Sequence, residues 1–193
     1  EGAPTCNNPL IGERKTLSVG KPVFGIDLEV VDLKSGDKIL ETGEPGEIRV
    51  RGTHIATEYF NNKEQTVAAF RDGWLYTGDI GYRDTDGFIF IVDRAKDMAI
   101  VSGFNVFPRE IEEVLMMHPQ IKEAASIGVK DDEKGEVIKA FVSLNEGSRI
   151  TEDQIKAHCR KNLVGYKVPR EIRVLESLPK THVGKIDKSQ LQK

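Results

Sequence analysis

The sequence predicts an α+β protein in two parts. A β-rich, small barrel-like subdomain covers residues 1–92, the end of a larger N-terminal domain. A compact, mobile α+β domain covers residues 98–193, and a hinge at 93–97 joins them. Three observations carry this prediction. Up to Val92, apolar residues alternate with polar ones or run in short stretches between Gly, Pro and Asp turns, as in half-buried strands. Beyond Lys96, apolar residues recur at helical spacing in two segments that lie among strand-like runs. Between the parts lies the charged run Asp93-Arg94-Ala95-Lys96-Asp97.

In the first part, residues 24–31 alternate apolar and polar side chains and read as a strand. Lys34-Ser35-Gly36-Asp37 is a turn, and Gly43-Glu44-Pro45-Gly46 is another, leading into a strand over 47–51. Residues 61–70 read as a short helix with Asn61 or Asn62 as N-cap, ended by Asp72-Gly73. Asp84-Thr85-Asp86-Gly87 signals a hairpin, followed by the apolar strand 88–92. Short strands between turns predict a small barrel or a twisted sheet.

In the second part, Ile111, Val114 and Leu115 mark one face of a helix over 108–117, with Pro108 suited to its first turn. Residues 121–129 and 137–144 read as strands. A second helix covers 151–161 with Thr151 as N-cap, and a short strand covers 171–175.

The totals exclude several classes. The net charge of −3 over 193 residues predicts no general attraction to nucleic acid or to anionic membranes. No apolar run is long enough to span a bilayer, and the start Glu1-Gly2-Ala3-Pro4 has no signal-peptide pattern. The expected location is cytoplasmic. The missing initiator Met reads as a piece cut from a longer protein. Cys6 and Cys159 are too few for a metal cage and read as reduced thiols. His54, His118, His158 and His182 show no ligand spacing.

Three segments carry chemistry. In Trp74-Leu75-Tyr76-Thr77-Gly78-Asp79, a carboxylate follows a glycine. An ionised Asp accepts two hydrogen bonds at once, which suits neighbouring hydroxyls on a ribose, although Gly-Asp by itself is ordinary turn composition. In the run from Val92 to Glu112, the charged pivot leads into Val101-Ser102-Gly103-Phe104-Asn105-Val106. Gly103 there permits close backbone approach to a ligand, or else marks a bulge or turn. Glu110 and Glu112 suit the positive end of a helix and read as structural. In Leu178-Pro179-Lys180-Thr181-His182-Val183-Gly184-Lys185-Ile186, a lysine sits on a glycine-containing loop as a mobile point charge.

The order and spacing of these segments resemble the acyl-adenylate-forming enzymes: acyl-CoA synthetases, nonribosomal peptide adenylation domains and luciferases. The wording is similar to that of bacterial long-chain fatty acid–CoA ligases. The resemblance covers essentially the whole chain but only the C-terminal part of such an enzyme. It implies an acid–thiol ligase that converts a fatty acid and ATP, with Mg²⁺, to acyl-adenylate and pyrophosphate, and then passes the acyl group to CoA with release of AMP.

The resemblance also implies roles. Asp79 holds the ribose of ATP, and Arg94 meets the ribose or a phosphate. Lys96 is the pivot, where other members carry Asp. Ser102, Gly103 and Phe104 line the tunnel for the pantetheine arm of CoA after rotation. Lys185 bridges the acyl carboxylate and the α-phosphate in the first half-reaction only. Glu1 aligns with the Mg²⁺-holding Glu of the family segment Tyr-Gly-x-Thr-Glu, of which it alone is present. Lys167 and Arg170 read as CoA-phosphate ligands or, at least as well, as surface charge. The family's phosphate-binding Ser/Thr/Gly-rich loop has no counterpart here, so the fragment is expected to fold without activating fatty acids. Two rivals stand beside this reading: an adenylation domain that passes its acyl group to a carrier protein, and a non-catalytic interaction module. Peripheral membrane association of the parent is compatible with the sequence. Oligomeric state and acyl chain length are not legible in it.

Overall fold

A computed structural model describes residues 4–192. The chain divides into two compact units, residues 1–96 and 97–193. The architecture is α+β: a curled β half-barrel is followed by a mixed α/β unit.

Unit 1 contains β1 (Cys6–Asn7), β2 (Ser18–Pro22), β3 (Ile26–Val31), β4 (Gly46–Gly52), helix α1 (Lys63–Ala69), β5 (Phe70–Arg71), β6 (Trp74–Arg83) and β7 (Ile89–Arg94). The strands form one antiparallel sheet in the order β1-β2-β7-β6-β4-β3, with β5 added on β6. Among the described residues the two ends of this path do not pair, so the sheet curls without closing. Strand alternation places Ile26, Leu28 and Val30 of β3 in the core with Ile48 and Val50 of β4 and Ile89 of β7.

Asn62 caps α1 by accepting from the Gln65 N–H at 3.0 Å. Asp72-Gly73 does not end this helix as expected. The helix stops at Ala69, and Asp72-Gly73 turns β5 back onto β6, pairing Arg71 with Trp74. Both turn residues have positive φ (51° and 79°), which a type I′ hairpin requires. The segment before β2 is tied down by side chains distant in sequence. Lys15 bonds Asp84 at 2.6 Å and also pairs with Asp86, while Lys21 lies 4.6 Å from the Phe88 ring centre.

Unit 2 contains β8 (Ala99–Val101), β9 (Phe104–Val106), α2 (Pro108–Met116), β10 (Ile121–Asp131), β11 (Gly135–Leu144), α3 (Glu152–Asn162) and β12 (Glu171–Val174), then a 3-10 segment at Lys188–Gln192. The sheet order is β10-β11-β8-β9, with β12 parallel to β11. Pro108 opens α2, and a capping box between Thr151 and Gln154 opens α3.

The two faces of the sheet carry different cores. Ile138, Ala140 and Val142 pack with Ile111, Leu115 and Ile155 of the helices, while Phe141 on the opposite face packs with Leu178 and Leu191 of the C-terminal segment. Cys159 is buried in the first core and Cys6 is half-buried, and both are free thiols. Among the described residues no helix is long and apolar enough to cross a membrane.

Candidate functional site

The candidate residues fall into two regions, one in each unit. In unit 1, Asp79 lies on β6 and not in an open turn. The pairing of β6 with β4 breaks where Glu47 faces Ile80 and Arg49 faces Tyr76, so Thr77, Gly78 and Asp79 bulge out of the ladder. The bulge is well satisfied. The Thr77 hydroxyl donates to the Ile48 carbonyl at 2.8 Å and accepts from the Asp79 N–H at 3.1 Å, while the Gly78 N–H donates to Glu47 Oε1 at 3.2 Å.

Arg94 is the cross-strand partner of Asp79 on β7, and its guanidinium lies 3.0 Å from Asp79 Oδ1. Burial raises the Asp79 pKa above the usual carboxylate value, and the nearby Arg94 charge partly offsets this. The pair sits at one side of a cleft of about 540 Å³, whose other walls include Tyr59, Phe60, Phe70 and Leu75. A carboxylate and a guanidinium beside an apolar wall suit a ligand with hydroxyls, negative charge and a flat ring.

Lys96 is exposed in the 3-10 turn Ala95–Asp97 and has no charged partner among the described residues. Glu1 lies outside the described residues. Among the described residues, no group of three or more His, Cys, Asp or Glu side chains is placed to hold a metal ion.

In unit 2, Ser102 and Gly103 form the tight turn between β8 and β9, with φ of 51° and 84°. A Cβ on Gly103 would meet nothing within 4 Å, so it is backbone conformation and not crowding that favours glycine there. Phe104, exposed at the turn, stacks on Tyr166 with ring centres 4.5 Å apart.

Ser102 also edges a cleft of about 460 Å³ lined by Lys134, Lys156, Arg160, Tyr166 and Arg170, with no carboxylate in its wall. Such a cleft favours an anion. Lys134, Lys156 and Arg160 escaped the sequence reading because they lie in separate elements and share no spacing. Lys167 is held by both oxygens of Glu110 (2.8 and 2.6 Å), and Arg170 pairs with Asp131, so neither side chain is a free cation.

Lys185 follows a short hairpin loop. Lys180 bridges Ile186, the Thr181 N–H donates to the Lys185 carbonyl at 2.7 Å, and the Gly184 N–H donates to the Thr181 carbonyl at 2.9 Å. Gly184 has a φ of 80°, the left-handed position that closes a three-residue hairpin loop. The Lys185 side chain is exposed and has no ion pair or side-chain hydrogen bond among the described residues. It is a free cation at the end of an ordered loop.

Residues 110–185 match the family described as AMP-binding enzyme C-terminal domain. The chain is 44% identical over 185 residues to a long-chain-fatty-acid–CoA ligase of Yersinia pestis, which covers 96% of this chain and 32% of that ligase. Among solved structures, ATP-bound MatB from Rhodopseudomonas palustris superposes with a TM-score of 0.90 at 34% identity, over 97% of this chain and 37% of MatB. O-succinylbenzoate coenzyme A synthetase (MenE) of Bacillus subtilis, in complex with ATP and magnesium, superposes with a TM-score of 0.82 at 35% identity, over 93% of this chain and 36% of that enzyme. The chain thus spans about a third of the length of the curated relatives it matches.

Proposed function

Since this chain carries an AMP-binding enzyme C-terminal domain and is homologous along nearly all of its length to bacterial long-chain-fatty-acid–CoA ligases, we propose that its parent is an AMP-forming acid–thiol ligase that makes long-chain acyl-CoA in the cytoplasm. The observation that carries this reading is the free, exposed cation of Lys185 on its ordered hairpin, on the same chain as the Asp79–Arg94 pair.

In the first half-reaction a fatty carboxylate oxygen attacks the α-phosphorus of ATP. The bond to pyrophosphate breaks, and acyl-adenylate forms. Two anions meet, so the barrier falls where a preorganised cation stands between them. Lys185 supplies that charge. Asp79 accepts from the ribose hydroxyls, and Arg94 lies beside it for the ribose or a phosphate. Mg²⁺ accompanies the nucleotide in the MenE complex. Glu1, which aligns with the Mg²⁺-holding Glu of the family, would supply a carboxylate to it beside the ATP phosphates.

In the second half-reaction unit 2 turns about Lys96, a solvated residue whose side chain has no ion pair to break among the described residues. The Ser102-Gly103-Phe104 turn then takes the place of Lys185. The CoA sulfur attacks the acyl carbonyl carbon and AMP leaves. The basic cleft beside Ser102 provides cations for the CoA phosphates.

Incubating the full-length parent with ATP, Mg²⁺, CoA and acids of graded chain length, with products read by mass spectrometry, tests the reading. Acyl-CoA from long-chain acids is the expected product. Acyl-adenylate without thioester points to a carrier-protein acceptor, and no product at all returns the interaction module.

Asp79→Ala is expected to raise KM for ATP by roughly 10- to 100-fold, since a hydrogen bond to a charged group contributes ~1.5–3 kcal/mol. Steady-state kinetics with varied ATP checks this, and an unchanged KM removes Asp79 from the nucleotide site.

A further inference from the structure

Among the described residues of unit 2, the buried polar side chains Ser126 and Ser143 each back a glutamate. The Ser126 N–H on β10 donates to Glu112 Oε1 at 2.7 Å, and its hydroxyl donates to the Pro108 carbonyl at 2.9 Å, which pins the start of α2. The same Glu112 oxygen receives Lys188 Nζ at 2.8 Å. The Ser143 hydroxyl, directly across from Glu123 in the β10–β11 ladder, donates to Glu123 Oε2 at 3.3 Å. The other Glu123 oxygen receives Lys180 Nζ at 2.6 Å. The pattern occurs twice: a buried serine behind, a carboxylate in the middle and a lysine in front.

The two lysines flank the hairpin. Lys180 lies five positions before Lys185, and Lys188 three positions after it. Leu178, just before the first clamp, and Ile186, between the two, seat the hairpin in the second core. In the Glu112–Lys188 pair both side chains are largely covered (18% and 25% exposed), so it is screened less than a surface pair, while Lys180 in the other pair is exposed. Of the three lysines in residues 180–188, only Lys185 has no carboxylate partner among the described residues. The clamps thus hold both ends of the loop and occupy the neighbouring cations, which leaves one charge free.

We propose that Glu112 and Glu123 are positioning residues for adenylation: by holding Lys188 and Lys180 they fix the hairpin that presents Lys185. This rests on the role given to Lys185 above.

In the full-length parent, Glu112→Gln and Glu123→Gln are each expected to lower kcat for acyl-adenylate formation roughly 10- to 100-fold, the scale of a small misplacement of a reacting group. Glutamine keeps an acceptor for each serine, so the melting temperature is expected to hold. KM for ATP and thioester formation from supplied acyl-adenylate are expected to stay unchanged. Exchanging charges across one clamp, with Glu123→Lys and Lys180→Glu together, is expected to restore most of the lost rate.

Unchanged adenylation in both Gln variants, equal loss in both half-reactions, or no recovery on charge exchange overturns the proposal. Lys185→Ala run alongside separates two failures. If it leaves adenylation intact, the role of Lys185 itself fails. If it slows adenylation while the Gln variants do not, only the positioning role fails.

Discussion

Lys185→Ala in the full-length parent is expected to slow acyl-adenylate formation by roughly 10²–10³-fold, the loss of ~3–4 kcal/mol of transition-state stabilisation. The size follows from the geometry. Lys185 has no carboxylate partner to neutralise it in the ground state, so its charge is available to the developing anion. Its loop is closed by backbone hydrogen bonds of 2.7 and 2.9 Å, so little ordering remains to be done when substrate arrives. The substitution removes an exposed side chain and leaves no cavity, so the fold is expected to be unaffected. Thioester formation from supplied acyl-adenylate is expected to run at the wild-type rate, because the role proposed for Lys185 is confined to the first step. Rapid-quench assays of the two half-reactions check this, and equal loss in both refutes the assignment.

Ile155→Ala is expected to destabilise unit 2 by about 2–5 kcal/mol. Ile155 is fully buried where α3 packs into the main core with Ile111, Leu115 and Cys159. Alanine leaves a void that the surrounding sheet and helix cannot close, so lost transfer energy and lost contacts add. α3 also carries Lys156 and Arg160 of the basic cleft, so loosening it is expected to weaken anion binding there. Thermal unfolding of the 193-residue chain checks the first claim. A control at the exposed Val67 is expected to change stability by less than about 0.5 kcal/mol. A loss below ~1 kcal/mol for Ile155→Ala would mean that α3 is not part of the cooperative core.

The helix faces, the cap at Thr151, a cap at Asn61 or Asn62, and the long strands of unit 2 were legible in the sequence. Each rests on contacts between residues close along the chain. The β1–β2 segment was not. Its strands are short, β2 contains Gly20 and Pro22, and the partners that hold the segment, β7 for β2 and Asp84 for Lys15, lie far along the chain. Asp72-Gly73 was misplaced for a related reason. Its chemistry marks a turn, but whether that turn ends a helix or closes a hairpin depends on the pairing of β5 with β6.

The sequence by itself determined the α+β class, the family resemblance and the candidates Asp79, Arg94 and Lys185, because periodicity, turn chemistry and ordered motifs are properties of the chain as read. Tertiary structure decided which charges are free. It paired Lys167 with Glu110 and Arg170 with Asp131, gathered Lys134, Lys156 and Arg160 into one cleft, and set Glu112 and Glu123 against the lysines that flank Lys185. The physical reason is that an ion pair depends on distance in space, and the sheet brings together carboxylates and cations that no spacing in the sequence connects.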